Sequence, residues 1–154
     1  MKLRALVFTL VVATTTLTTA ALHAQGRHPH YLTARSDLRT ASLYLHVREE
    51  PNVTRNLRTA DTEVGAAIGE LDRAAVLDRK DVDDHPRIDE RLERRDRFRK
   101  VVDLLRGAKD DIDHEEDNPR AREWRNRATH HIDEALNAVH RAAVDAHLDH
   151  EIGF

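Results

Sequence analysis

The chain has 154 residues, with 25 basic against 28 acidic side chains and a formal charge of −3. It contains no cysteine, which excludes disulfides, thiolate catalysis and thiolate metal sites. Charges of both signs alternate along it, whereas a nucleic-acid footprint concentrates basic residues on one face, so no nucleic-acid partner is expected.

Lys2 and Arg4 precede an apolar run from Ala5 to Ala13, then a threonine-rich stretch and small residues ending at Ala24. That order reads as a secretory signal over residues 1–24, cleaved after Ala24 and directing export to the periplasm or the medium. The apolar run is shorter than the ~20 residues that cross a bilayer, and nothing after it could span one. Residues 25–154 are then one domain. Without Lys2 and Arg4 it carries 23 basic against 28 acidic side chains, a formal charge of −5.

The first helix is predicted over 29 to about 47. Tyr31, Ala34, Leu38, Ala41 and Leu45 are spaced 3, 4, 3, 4 and form one stripe. Pro51 suits the opening turn of a second helix, where its missing N–H would have no partner. Val53, Leu57, Ala60, Val64, Ala67, Leu71 and Ala74 continue the stripe until the helix fades near Arg79. Gly65 and Gly69 lie inside this helix and are read as tolerated on its surface. Residues 81–86 form a polar linker.

A third helix is predicted from about Arg87, with Ile88, Leu92, Phe98, Val101, Leu105, Ala108 and Ile112 inward and Arg95 interrupting the early turns. Asn118 and Pro119 are suited to cap and open a fourth helix. Trp124, Ala128, Ile132, Ala135, Val139, Ala142 and Ala146 form its stripe.

The second helical pair repeats the first. At an offset of 68, Ala60 meets Ala128, Val64 meets Ile132, and Arg73-Ala74-Ala75-Val76 returns as Arg141-Ala142-Ala143-Val144. At 67, Tyr31 meets Phe98, Leu38 meets Leu105, and Leu45 meets Ile112. The expected fold is therefore all-α: an up-down-up-down four-helix bundle built from a duplicated helical hairpin. Repeat 1 covers about 29–80 and repeat 2 about 86–150.

The segments HPHYLTARSDLRTA (His28 to Ala41) and EEDNPRAREWRNRATHHIDEA (Glu115 to Ala135) resemble a family of small exported bacterial helical proteins without an assigned function. The resemblance implies an exported helical bundle and no particular chemistry. The architecture also looks like periplasmic four-helix cytochromes of the b562 and c′ type. The c′ attachment motif needs two cysteines, however, and the b562 pattern needs a methionine where this chain has only Met1. A haem could be held only by two histidines.

Enzymatic signals are weak. Ser36 and Ser42 both fall within the first helix, no glycine-rich phosphate loop exists, and most carboxylates interleave with arginine on helix surfaces. A ferritin-like di-iron site needs Glu-x-x-His pairs pointing into the core, and the mid-bundle stripes are apolar. Histidine is the exception. With up-down-up-down topology, one end gathers His28, His30, His85, His147 and His150 beside Asp81, Asp83 and Asp84. Imidazole and carboxylate together suit Zn, Ni or Cu(II), so a metal site there is the sharpest expectation. The broader expectation is a non-enzymatic exported binding or accessory protein, monomeric or dimeric, serving an unidentified protein or small ligand. A stress-protective periplasmic adaptor and a bis-histidine haem protein are the alternatives.

Overall fold

The computed structural model describes residues 29–77, 87–114 and 121–154. The proposed signal, the 81–86 linker and the Asn118–Pro119 cap lie outside the described residues. Four long helices, α1 (Pro29–Leu45), α2 (Pro51–Leu77), α3 (Arg94–Asp113) and α4 (Arg122–Asp145), pack on one another. A short α5 (Asp149–Ile152) follows, and the fold is an all-α four-helix bundle.

The predicted stripes form the core. Ala34, Leu38, Ala41, Val53, Ala60, Val64, Ala67, Leu105, Ala108, Ile112, Ala128, Ile132, Ala135, Val139 and Ala142 are fully buried. Each larger aliphatic side chain removed from water in this way contributes about 1.5–3 kcal/mol. Positions 67 or 68 apart share this burial: Leu38 with Leu105, Val64 with Ile132, Ala67 with Ala135. Val102, Leu104, Ala138 and Ala143 join the core from beside the predicted stripes.

The helix directions correct the up-down-up-down expectation. At one end, the start of α3 meets the α1–α2 turn, where Arg94 donates to Glu50 at 2.5 Å and Arg97 to Glu49. At the other, the end of α3 meets the start of α1, with His30 Nδ1 3.3 Å from Asp111 Oδ1. The α4 helix runs back along α2: Arg127 donates to Glu70 at 3.0 Å and Asn56 to Asp145 at 2.9 Å. The order is up-down-down-up. Going round the bundle, α1 neighbours α2, α2 neighbours α4, α4 neighbours α3 and α3 neighbours α1, every neighbouring pair being antiparallel. The most extensive packing is α2 on α4 and α1 on α3.

The cause lies in where α3 begins. It starts at Arg94, not near Arg87, leaving 16 residues between Leu77 and Arg94. The 27 residues of α2 span ~40 Å at 1.5 Å each, whereas 16 extended residues reach ~50 Å. The connection is therefore long enough to return the chain to the end where α2 began, as one crossover does in ferritin-like bundles. A turn built on Asp89 precedes the helix. The Asp89 carboxylate accepts from the Arg91 N–H at 3.0 Å, and the N–H of the same residue donates to the Tyr44 hydroxyl at 3.1 Å. Ile88 and Leu92 still pack against the core, but from a turn.

Beyond α4, the Leu148 N–H bonds to Ala143 O at 2.8 Å and the His147 N–H to Val144 O at 3.0 Å. With His147 in the left-handed region (φ 58°), this pattern is a Schellman termination of α4. The tail then crosses α3, whose Arg99 and Arg106 donate to the carbonyls of Glu151 and Gly153.

Gly65 and Gly69 have room for a Cβ, nothing lying within 4 Å of either ideal position. Each glycine costs a helix interior about 0.5–1 kcal/mol against alanine. Gly65→Ala combined with Gly69→Ala is expected to stabilise the protein by about 1–2 kcal/mol in chemical denaturation. A loss of stability would mean that a neighbour needs the space.

Candidate functional site

The helix directions disperse the expected histidine cluster. His147 and His150 follow α4 at the end where α1 turns into α2, whereas His30 sits at the opposite end. Its ring is 6.5 Å from that of His114, a residue the expected topology placed far from it. His28 and His85 lie outside the described residues. Among the described residues no three histidine, aspartate or glutamate side chains are grouped to hold a metal. His30 is separated from His147 and His150 because grouping the chain start with the end of α4 requires those helices to run oppositely. They run in parallel.

The other expectations meet a tight interior. Within the core, between Leu45, Leu57, Phe98 and Val139, lies a void of about 10 Å³, too small for a planar cofactor. Among the described residues, Leu32, Leu43, Val144 and Phe154 are the large exposed apolar side chains. They are spread over α1, α4 and the tail, and Phe154 stacks 4.6 Å from His140. Scattered residues of this kind do not make an adhesive patch. Among the described residues no helix is long and apolar enough to cross a membrane.

Space for a ligand is found outside the core, around the α1–α2 turn. A groove of about 590 Å³ runs along the first three turns of α2, between Arg48, Glu49, Thr54, Arg55, Arg58 and Thr62. A hollow of about 240 Å³ shares Arg48, Thr54 and Arg58 with it and extends to His46 and Asp61. Another, of about 330 Å³, lies across the turn between Leu43, His46, Ile88 and Arg97.

Local hydrogen bonds explain why this end is well formed. The Thr54 hydroxyl donates to Glu49 O and accepts from the Glu49 N–H, both at 2.9 Å, closing the turn onto α2. The Glu49 carboxylate faces α3, where Arg94 and Arg97 pair with it. Glu50 is held below the usual carboxylate range by its own backbone N–H and by Arg94. Asp61 is shared: Ser42 donates to one oxygen at 2.6 Å, and His46 Nε2 lies 2.9 Å from the other. This Ser–Asp–His grouping, which sequence reasoning missed, has the wrong order for nucleophilic catalysis, because its histidine contacts the carboxylate and leaves the hydroxyl to Asp61.

Glu49, Glu50 and Asp61 are thus occupied, and three bases beside them are not. Arg48, Arg55 and Arg58 are exposed and have no hydrogen-bond or ion-pair partner among the described residues. Several arginines elsewhere meet carboxylates, as in Arg35–Asp72, Arg73–Glu70, Arg95–Asp96 and Arg127–Glu123, while Arg91, Arg122 and Arg141 stand singly on the surface among the described residues. The sequence held a signal for this difference: 52–60 contains no acidic residue, so Arg55 has no i±3 or i±4 partner on its own helix. Arg58 has Asp61 at i+3, but α1 has already engaged that carboxylate.

Compared with family models, with curated proteins and with solved structures, the chain matches none.

Proposed function

We propose that this is an exported, non-enzymatic binding or accessory protein, a bundle that receives a ligand or partner at the end formed by the α1–α2 turn. The observation that carries this reading is that ligand-sized hollows of about 590, 330 and 240 Å³ gather around that turn, while the core void beside it measures about 10 Å³. Residues 1–24 serve as the export signal in this proposal, in keeping with the resemblance to small exported helical proteins. His30 and His147 occupy opposite ends of the bundle, so a metal site combining them is not part of this proposal.

The same proposal makes the bundle a duplicated hairpin. Two features support it: the shared burial of positions 67 or 68 apart, and the contact of Glu63 with His131 at 2.7 Å. Those two residues are 68 apart, so each touches its own counterpart. That is the contact expected on a two-fold axis passing between α2 and α4, with the axis perpendicular to the bundle. Such a rotation turns an up-down hairpin into a down-up one.

Hydrogen exchange on the mature protein, with and without an envelope extract from its parent cell, tests the location. Protection is expected in 43–62 and 88–97. Protection restricted to the opposite end, near His30 and His114, would defeat the reading.

A further inference from the structure

We propose that the groove along the start of α2 is a binding site for a compact anion bearing two or more phosphate groups, held by Arg48, Arg55 and Arg58. This inference rests on the docking reading above and adds the chemistry of what docks.

Three guanidinium groups border one concavity of about 590 Å³, and none has a carboxylate partner among the described residues. Arg55 and Arg58 are three residues apart on α2, which places their Cβ atoms about 5–6 Å from each other on one face. Arg48 approaches from the turn. The planar fork of an arginine matches a phosphate group through two parallel hydrogen bonds, and its charge persists at any physiological pH. Three such forks around one hollow suit a ligand that presents several oxyanion groups close together.

The acidic groups beside the groove do not compete for these forks. Glu49 is committed to Arg94 and Arg97, and Asp61 to Ser42 and His46. The threonines on the wall are engaged as well: Thr59 donates to Arg55 O and Thr62 to Arg58 O, both one turn back along α2. The arginine side chains are therefore the groups left to bind.

The internal repeat sharpens the point. Core positions carry over between the two halves, but these three do not. Glu115 stands 67 residues after Arg48, and Glu123 and Asn126 stand 68 after Arg55 and Arg58. A solvated surface tolerates either sign of charge. Here one hairpin concentrates positive charge without a partner among the described residues, where the other carries acid and amide.

Two sources can supply the same chemistry: a soluble diphosphate, or the phosphates of an envelope lipid headgroup. The test is calorimetric titration of the mature, untagged protein with sodium pyrophosphate at low salt. A parallel flotation assay uses phosphatidylcholine vesicles with and without cardiolipin. The expected result is pyrophosphate binding tighter than about millimolar. Arg55→Ala or Arg58→Ala should weaken it about tenfold or more, as loss of a charge-assisted bond does, and Arg55→Glu should abolish it. Arg141→Ala, on the outer face of α4, should leave it unchanged, and circular dichroism should show all variants folded.

Binding confined to pyrophosphate would assign a free anion. Cardiolipin-dependent flotation that pyrophosphate competes away and Arg55→Glu removes would assign a membrane headgroup. Either supports the proposal. Pyrophosphate binding weaker than about millimolar without such flotation, or binding indifferent to the arginine variants, would overturn it. Salt-sensitive self-association that disappears in Arg55→Glu, with no anion binding, would overturn it in favour of a second copy as occupant. If extract-induced protection at this end persisted in either case, the docking reading would survive the loss of the anion.

Discussion

Leu105→Ala is expected to cost the bundle about 3–5 kcal/mol, a large share of the 5–15 kcal/mol that typically separates folded from unfolded domains. Leu105 is fully buried in a core that also fully buries the small side chains of Ala34, Ala41 and Ala108. Alanine side chains cannot swing into a cavity, so the site collapses little and the cost falls at the upper end of its range. Its counterpart Leu38→Ala should behave alike, whereas Leu43→Ala, at a position 39% exposed, should cost under ~0.5 kcal/mol. Urea unfolding of the three variants measures this. A loss below ~1.5 kcal/mol for Leu105→Ala would show that the helices close up to fill the space.

The second large effect is expected at Arg35. This guanidinium is buried, with 2% of its surface exposed, and its Nε pairs with Asp72 while one terminal nitrogen, Nη2, has no partner among the described residues. Asp72→Asn would leave a buried cation without a counter-charge and should cost about 2–4 kcal/mol. The range is set below that of a fully enclosed pair because Asp72 is 36% exposed. Arg35→Met removes the charge together with its unsatisfied donor and keeps most of the packing volume. It should be close to neutral, within ~1 kcal/mol, or stabilising. Thermal and urea melts of both variants decide the matter. Arg35→Met costing as much as Asp72→Asn would mean that the ion pair is a net source of stability.

The inner faces were legible because a 3, 4, 3, 4 spacing has only one geometric solution on an α-helix. Tyr31, Leu38 and Leu45, or Phe98, Leu105 and Ile112, could be assigned to the core from spacing alone. Helix direction was not legible, because periodicity is unchanged when a helix is reversed. The direction of α3 depends on the length of the segment before it, and there the sequence misleads. Ile88 and Leu92 are spaced like helical core residues, yet Asp89 bonds to the Arg91 N–H and makes a turn. That shift of seven residues in the start of α3 moved His30 to the opposite end from His147. The arginine groove went unread for a different reason. Interleaved charges look paired on paper, and only the bonds from Ser42 and His46 to Asp61 reveal that Arg58 has lost its nearest acid.

The antiparallel arrangement of every neighbouring helix pair also governs the electric field of the molecule. Each long helix carries the equivalent of about half a positive charge at its N-terminus and half a negative one at its C-terminus. With α1 and α4 running one way and α2 and α3 the other, each end of the bundle exposes two termini of each kind, and the macrodipoles cancel. The backbone gives neither end a net polarity. The charge that the α1–α2 end offers an anion therefore comes chiefly from Arg48, Arg55 and Arg58, and a single charge reversal there leaves only one net positive charge among the three without touching the fold.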